Sequence, residues 1–256
     1  MINIKSVSEY LDSIAPYKTQ CDWDNCGLLV GNAENVVEKI GICLDLTRET
    51  LEDAIKNGCN LIITHHPVIF SPKKTFLSGD LVYEAAVRNI SIISAHTCFD
   101  CAENGVNDFL CEALEIKNAV GVENDECVVP MARIGDVEEI SPVELAKKIS
   151  RALSATVQLV DCEKPIKKLA VCGGSAMSFF EDVVAAGADA YLTGEFKHHM
   201  LLEAKERGVT VFVAGHFETE NPSLINIKKS LESKFEGVEA ILLKQSPPVI
   251  FVKEEE

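Results

Sequence analysis

Apolar residues fall in short runs separated by stretches with helical spacing. Residues 39–45, 60–66 and 90–95 each read as a strand with polar groups only near its ends. Residues 47–58 carry apolar positions at Leu51, Ala54 and Ile55 and close on Gly58, a C-cap residue, and 81–88 reads as a second helix. The same order returns later, with strands at 168–173, 188–193 and 209–214 and helices at 175–187 and 196–208. Continuous apolar strands alternating with helices predict parallel-rich sheets covered on both faces. The expected fold is α/β, built from two pseudo-repeated βαβαβ lobes.

The repeat extends to single residues. Gly58 to His66 lines up with Gly187 to Glu195, and Ala95-His96 to Asp100 lines up with Gly215-His216 to Glu220. Each half ends a strand on His and places a carboxylate four residues later. Shared composition of βαβαβ units is the alternative explanation. Between the repeats, 127–135 and 155–160 read as strands, and Ser141 caps a helix with Pro142 at its first position. Ser6 and Glu9 suggest a capping box for an N-terminal helix running to Ala15. The expected organisation is an N-terminal lobe over 1–125 and a C-terminal lobe over 126–256. No Gly-, Ser- or Pro-rich linker separates them, so tight packing is expected.

In open α/β sheets, ligands bind beyond the C-terminal ends of the strands. Those ends hold Asp45, Thr64-His65-His66, His96 with Asp100, Gly173-Gly174, Thr193-Gly194-Glu195, and His216 with Glu220. Of the six histidines, five lie at or one turn beyond such an end, His199 being the turn-beyond case, and His198 is its neighbour. Imidazole with carboxylate suits Zn, Fe, Mn, Co or Ni. The donors exceed what one tetrahedral ion needs, and a carboxylate can bridge a pair of ions. Side chains alternate along a strand, so consecutive His65 and His66, just past a strand end and before Pro67, can splay towards different ions, which suggests two.

Other readings attach to individual positions. Asp45 is either the cap of the helix after Thr47 or an outer partner of a ligand. Gly173-Gly174-Ser175 is either an anion cradle or a tight turn. Cys98 and Cys101 form a C-x-x-C, which could be redox-active or a thiolate site, or a bystander.

Composition narrows the function classes. The 256 residues are 47% apolar, enough for a sizeable core. Lys and Arg total 24 against 40 acidic residues, a net charge of −16. That balance argues against broad binding to nucleic acid or anionic lipid unless Lys73, Lys74, Lys197 and Lys205 converge. No run reaches the roughly 20 apolar residues of a membrane span, and the N-terminus lacks a leader pattern. Ten cysteines without a framework read mostly as small buried hydrophobes in a reducing cytoplasm. The C-terminal Lys253-Glu254-Glu255-Glu256 reads as a solvated tail.

Several segments together carry a family resemblance. They are Asp22-Trp23-Asp24-Asn25-Cys26-Gly27-Leu28-Leu29-Val30-Gly31, Thr64-His65-His66-Pro67, His96-Thr97 with Asp100, Gly105-Val106-Asn107-Asp108, Thr193-Gly194-Glu195, and Gly215-His216-Phe217 with Thr219-Glu220. The chain resembles, over nearly its whole length, the dinuclear metal centre proteins of the NGG-one-interacting-factor-three-like family, often catalogued as GTP cyclohydrolase I type 2 homologues. The resemblance implies two divalent metal ions held by His65, His66, Asp100, His216 and Glu220, with Glu220 as the bridge. It also implies a two-lobed fold and a homo-oligomer, a toroidal hexamer with its sites facing an internal cavity. Cys26 departs from a position where a small apolar residue is common, and Cys98 and Cys101 flank a ligand.

The leading expectation is a metal-dependent hydrolase acting on a small molecule, with His96 and His199 as candidates for proton transfer and Glu195 as the orienting partner of a ligand histidine. His199 could equally be a surface helix residue. No guanine-reading motif is evident. The alternative is a non-catalytic metal-binding regulatory or scaffold protein.

Overall fold

A computed structural model describes residues 1–124 and 127–252. The expected lobe boundary at 125/126 and the acidic tail at 253–256 lie outside the described residues. From the N-terminus run α1 (Ile4–Ile14), β1 (Gly27–Val30), β2 (Ile40–Cys43), α2 (Arg48–Lys56), β3 (Leu61–Thr64), α3 (Leu81–Val87), β4 (Ser91–Ser94) and α4 (Thr97–Asp100). Next come α5 (Val106–Ala113), β5 (Lys117–Gly121), β6 (Arg133–Ile140), α6 (Pro142–Leu153), β7 (Gln158–Val160), β8 (Ile166–Cys172), α7 (Phe180–Ala185), β9 (Ala190–Thr193), α8 (His198–Arg207), β10 (Thr210–Val213) and α9 (His216–Glu220). The last elements are α10 (Leu224–Lys234) and β11 (Ala240–Leu242).

Two compact units result. Among the described residues, the first comprises 1–105, 127–129 and 223–245, and the second comprises 106–124, 130–222 and 246–252. Each unit is thus assembled from more than one stretch of the chain. The chain already enters the second unit with α5, and α10 and β11 return to the first, where β11 pairs parallel with β2.

The first unit holds a sheet of order β1-β4-β3-β2-β11, parallel except where β1 pairs with β4. Every residue of β2, β3 and β4 is buried, as expected for strands covered on both faces. Leu51 and Ala54 of α2 and Val82 and Ala85 of α3 join Cys43, Ile62 and Ile92 in one apolar cluster. Thr47 starts α2 through a capping box with Thr50, whose hydroxyl accepts the Thr47 N–H at 2.8 Å. Asp45 is therefore not the cap. The N-terminal helix also differs from expectation. Asn3, not Ser6, is its cap and accepts the Ser6 N–H at 2.9 Å, so the helix begins two residues before Ser6.

The second unit holds a sheet of order β5-β6-β8-β9-β10-β7. Strands β8, β9 and β10 run parallel, and the flanking strands pair antiparallel. Leu145, Ile149 and Leu153 of α6 pack on Leu169, Val171, Leu192 and Phe212. The strand expected over 127–135 begins later, at Arg133, and runs on to Ile140. The repeat is visible within each sheet: β2-β3-β4 and β8-β9-β10 are both consecutive parallel trios, each followed by a short helix that carries an acidic residue at its end.

Candidate metal centre

The ends of the parallel strands carry the expected polar groups. In the first unit, His65 and His66 follow β3, and the chain turns after them at Pro67. His65 is fully buried, and its Nδ1–H donates to the Ala95 carbonyl at 2.9 Å. His66 donates its Nδ1–H to Asp45 Oδ1 at 2.7 Å, which gives Asp45 the second of its two expected roles. His96 caps α4 and donates its Nδ1–H to Asp24 Oδ1 at 2.9 Å. The His96 ring lies 5.1 Å from His65 and 5.3 Å from His66. One ring nitrogen from each of these three histidines falls within 4.8 Å of the others, a group able to hold a metal ion.

Asp100 ends α4, 7% exposed, with Oδ1 3.5 Å from His65 Nε2. Asp24 ties this corner together. Its other oxygen accepts the Thr97 N–H at 3.0 Å and the Thr97 hydroxyl at closer range. Burial disfavours the Asp24 carboxylate, but the His96 hydrogen bond, the His96 charge and the Thr97 bond outweigh it and hold its pKa well below the ordinary range.

In the second unit, Gly215 caps α9, which opens on His216 and closes on Glu220. His216 donates its Nδ1–H to Glu195 Oε1 at 2.8 Å, as expected of an orienting carboxylate. Its Nε2 lies 3.1 Å from Glu220 Oε2, and Glu220 is 3% exposed. Gly174 makes room for this pair. It adopts φ +66°, and a Cβ there would fall 2.1 Å from Glu220 Oε1. The Gly173-Gly174 turn is thus shaped by the carboxylate beside it.

Four imidazoles therefore share one arrangement. Carboxylate and carbonyl oxygens only accept, so each Nδ1 carries a proton, and in the neutral ring Nε2 is then the nitrogen able to ligate. For His65 and His216 that nitrogen faces a carboxylate oxygen. Two acceptors at such a distance repel unless a proton or a metal cation lies between them. The donor set, buried or partly buried and oriented from behind by acceptors, could hold a metal ion.

The other candidates fall outside this pattern. His199 sits exposed in the first turn of α8, beside exposed His198. The Cys101 thiol lies within hydrogen-bond reach of Thr19 Oγ1 and of the Cys98 carbonyl. A hydrogen bond with Cys26, together with burial, pushes the Cys98 thiol far above the thiolate range. Cys26 has a role the sequence did not suggest: its sulfur accepts the His96 N–H at 3.4 Å. Asp24 was legible only as part of a motif; its partner His96 lies 72 residues away. A cavity of about 310 Å³ opens beside His66, lined also by Asp45, Pro67, Lys73 and Asp80.

The mixed α/β fold and its histidine- and carboxylate-bearing strand ends define a class of candidate metal-binding proteins. Residues 2–248 match the model of the family Duf34/NIF3 (NGG1p interacting factor 3), and the chain belongs to that family. It is 32% identical over 241 residues to a Clostridium acetobutylicum protein named GTP cyclohydrolase 1 type 2 homolog, covering 90% of each chain. It is also 32% identical to NGG1-interacting factor 3 of Saccharomyces cerevisiae, covering 87% of each. The crystal structure of Staphylococcus aureus hypothetical protein SA1388 superposes with a TM-score of 0.90 at 23% identity, covering 98% of this chain and 99% of that one, a likeness of fold. Among the described residues, no helix is long and apolar enough to cross a membrane.

Proposed function

We propose that the protein holds two divalent metal ions through His65, His66, Asp100, His216 and Glu220, with Glu220 as the bridging ligand, and uses them to hydrolyse a small molecule. The observation that carries this reading is the shared histidine geometry: Nδ1 spent on an acceptor, and Nε2 aimed at a carboxylate in both His65–Asp100 and His216–Glu220. Bound cations supply Lewis acidity for water and for a scissile carbonyl or phosphoryl group. The protein's own residues position the ligands. Asp45 and Glu195 fix the tautomer and the ring plane of His66 and His216. His96, held by Asp24, is the first candidate to move a proton without being among the five ligands, and His199 is the second. The cavity beside His66 is within the size range of small-molecule sites.

The name GTP cyclohydrolase 1 type 2 homolog belongs to the relatives. For this chain, GTP ring opening is one substrate among several to be tried, with phosphomonoesters, phosphodiesters and cyclic amides. The protein is further proposed to act in the cytoplasm as a homo-oligomer, a hexameric ring. The test is turnover of such a panel by metal-loaded protein, its loss on chelation, and its fall in His96→Ala with metal content retained. Glu220→Ala should empty the site, and Cys101→Ser should leave it filled. Metal-loaded protein that turns over nothing would favour a regulatory or scaffold role. Activity that survives chelation would refute the metal-dependent reading.

A further inference from the structure

Trp23 is the single tryptophan of the chain, and neither the core nor the ligand set accounts for it. Its side chain is 55% exposed. Its backbone is nonetheless held firmly. The N–H of neighbouring Asp24 donates to the Cys21 carbonyl at 2.9 Å, and the Asp24 carboxylate is fixed by Thr97 and His96. Asn25 Nδ2 donates to the Ile69 carbonyl at 2.7 Å, fastening the Trp23 loop to the loop that carries Phe70.

The outcome is a row of rings leading out from the histidine cluster. The Trp23 ring lies 5.8 Å from that of His96 at 66°, and Phe70 follows 5.7 Å from Trp23, tilted by 39°. Phe70 is itself 54% exposed. The row is continuous with His65 and His66 through His96. Exposed aromatic side chains rimmed by polar groups and set beside ligand-type residues mark sites for other rings. The spacing between Trp23 and Phe70 is that of two rings already in contact, so a third ring covers their outer faces and does not slip between them. Asp22 and Ser71, the sequence neighbours of Trp23 and Phe70, are both polar and exposed, groups that a heteroaromatic ring can use and a hydrocarbon ring cannot.

We propose that Trp23 and Phe70 form a stacking face for the planar heteroaromatic ring of a small molecule, placing the ring's substituents towards the His65, His66 and His96 cluster. This deepens the proposed function and rests on it only for the identity of the cluster as a metal centre. Neutral nucleosides are suitable probes, because they present such rings without adding charge to a protein of net charge −16.

The test uses the full-length protein, metal-stripped and zinc-loaded. It is titrated with guanosine, adenosine and cytidine, and with ribose as the ring-free control, while indole emission is followed; all of that emission comes from Trp23. Saturable quenching by at least one nucleoside and none by ribose is expected. Phe70→Ala should weaken binding about tenfold with the indole signal intact, and Phe70→Tyr should restore it. Trp23→Ala should weaken binding similarly by calorimetry, with metal content unchanged. Absence of saturable quenching, or affinity unchanged in both alanine variants, overturns the proposal. So does a Trp23→Ala protein of reduced mass in light scattering whose parent binds no nucleoside, which would assign the face to a second copy of the chain. Ring-specific quenching in protein that takes up no zinc on loading would refute the metal centre alone, whereas zinc-loaded protein without quenching would refute the stacking face alone.

Discussion

The His66 ring donates its Nδ1 proton to the Asp45 carboxylate at 2.7 Å. The bond fixes which nitrogen of His66 keeps a lone pair, and it comes from a residue at the end of the neighbouring strand β2. Asp45→Ala should therefore lower metal affinity by about 10- to 100-fold, as loss of outer-shell partners does. The Asp45 side chain is half exposed, so the fold should tolerate the change. Competition against a chelating dye measures the affinity; an unchanged value would show that Asp45 does not orient a ligand.

Two left-handed glycines separate backbone strain from site geometry. Gly58 has φ +72° and open space where a methyl would go, whereas a methyl on Gly174, at φ +66°, would strike Glu220. Gly58→Ala should cost about 1 kcal/mol and leave metal binding intact. Gly174→Ala should cost about 1–3 kcal/mol and also reduce bound metal, because Glu220 must move. Urea denaturation and elemental analysis of both variants check this pairing.

Asp24 sets a pH dependence. Its folded pKa is depressed below the unfolded value of about 3.9, so its contribution is full above that value and is lost as pH falls through the folded pKa. In metal-stripped protein, Asp24→Asn should lower stability by about 1–3 kcal/mol near neutral pH, and the difference from wild type should shrink only below about pH 4. Denaturant titrations from pH 7 to pH 3 show the trend; a gap that closes between pH 5 and 7 would contradict it.

Much of the fold and of the candidate site was legible along the chain. The apolar runs feeding parallel strands stand out because both faces are covered, and polar residues then collect at the strand ends, where His65, His66, His96 and His216 lie. What escaped was non-local. β11 is three residues long, and its partner β2 lies some 200 positions earlier. Asp24 acts through a histidine 72 residues away, a relation that no spacing encodes, and Asp45 was legible only as one of two alternatives. Local competition misled at the N-terminus, where Ser6 offered a capping box but Asn3 caps the helix and takes the Ser6 N–H. Around 127–135 the apolar run was real, but pairing with β8 begins only at Arg133.

The five proposed ligands should serve two ions, a stoichiometry that can be counted. Elemental analysis of protein loaded anaerobically with Zn, Mn or Fe and then passed through a desalting column tests it most directly. Close to two equivalents per chain are expected, falling sharply in Glu220→Ala. A reproducible stoichiometry near zero, or full retention of metal by Glu220→Ala, would contradict it.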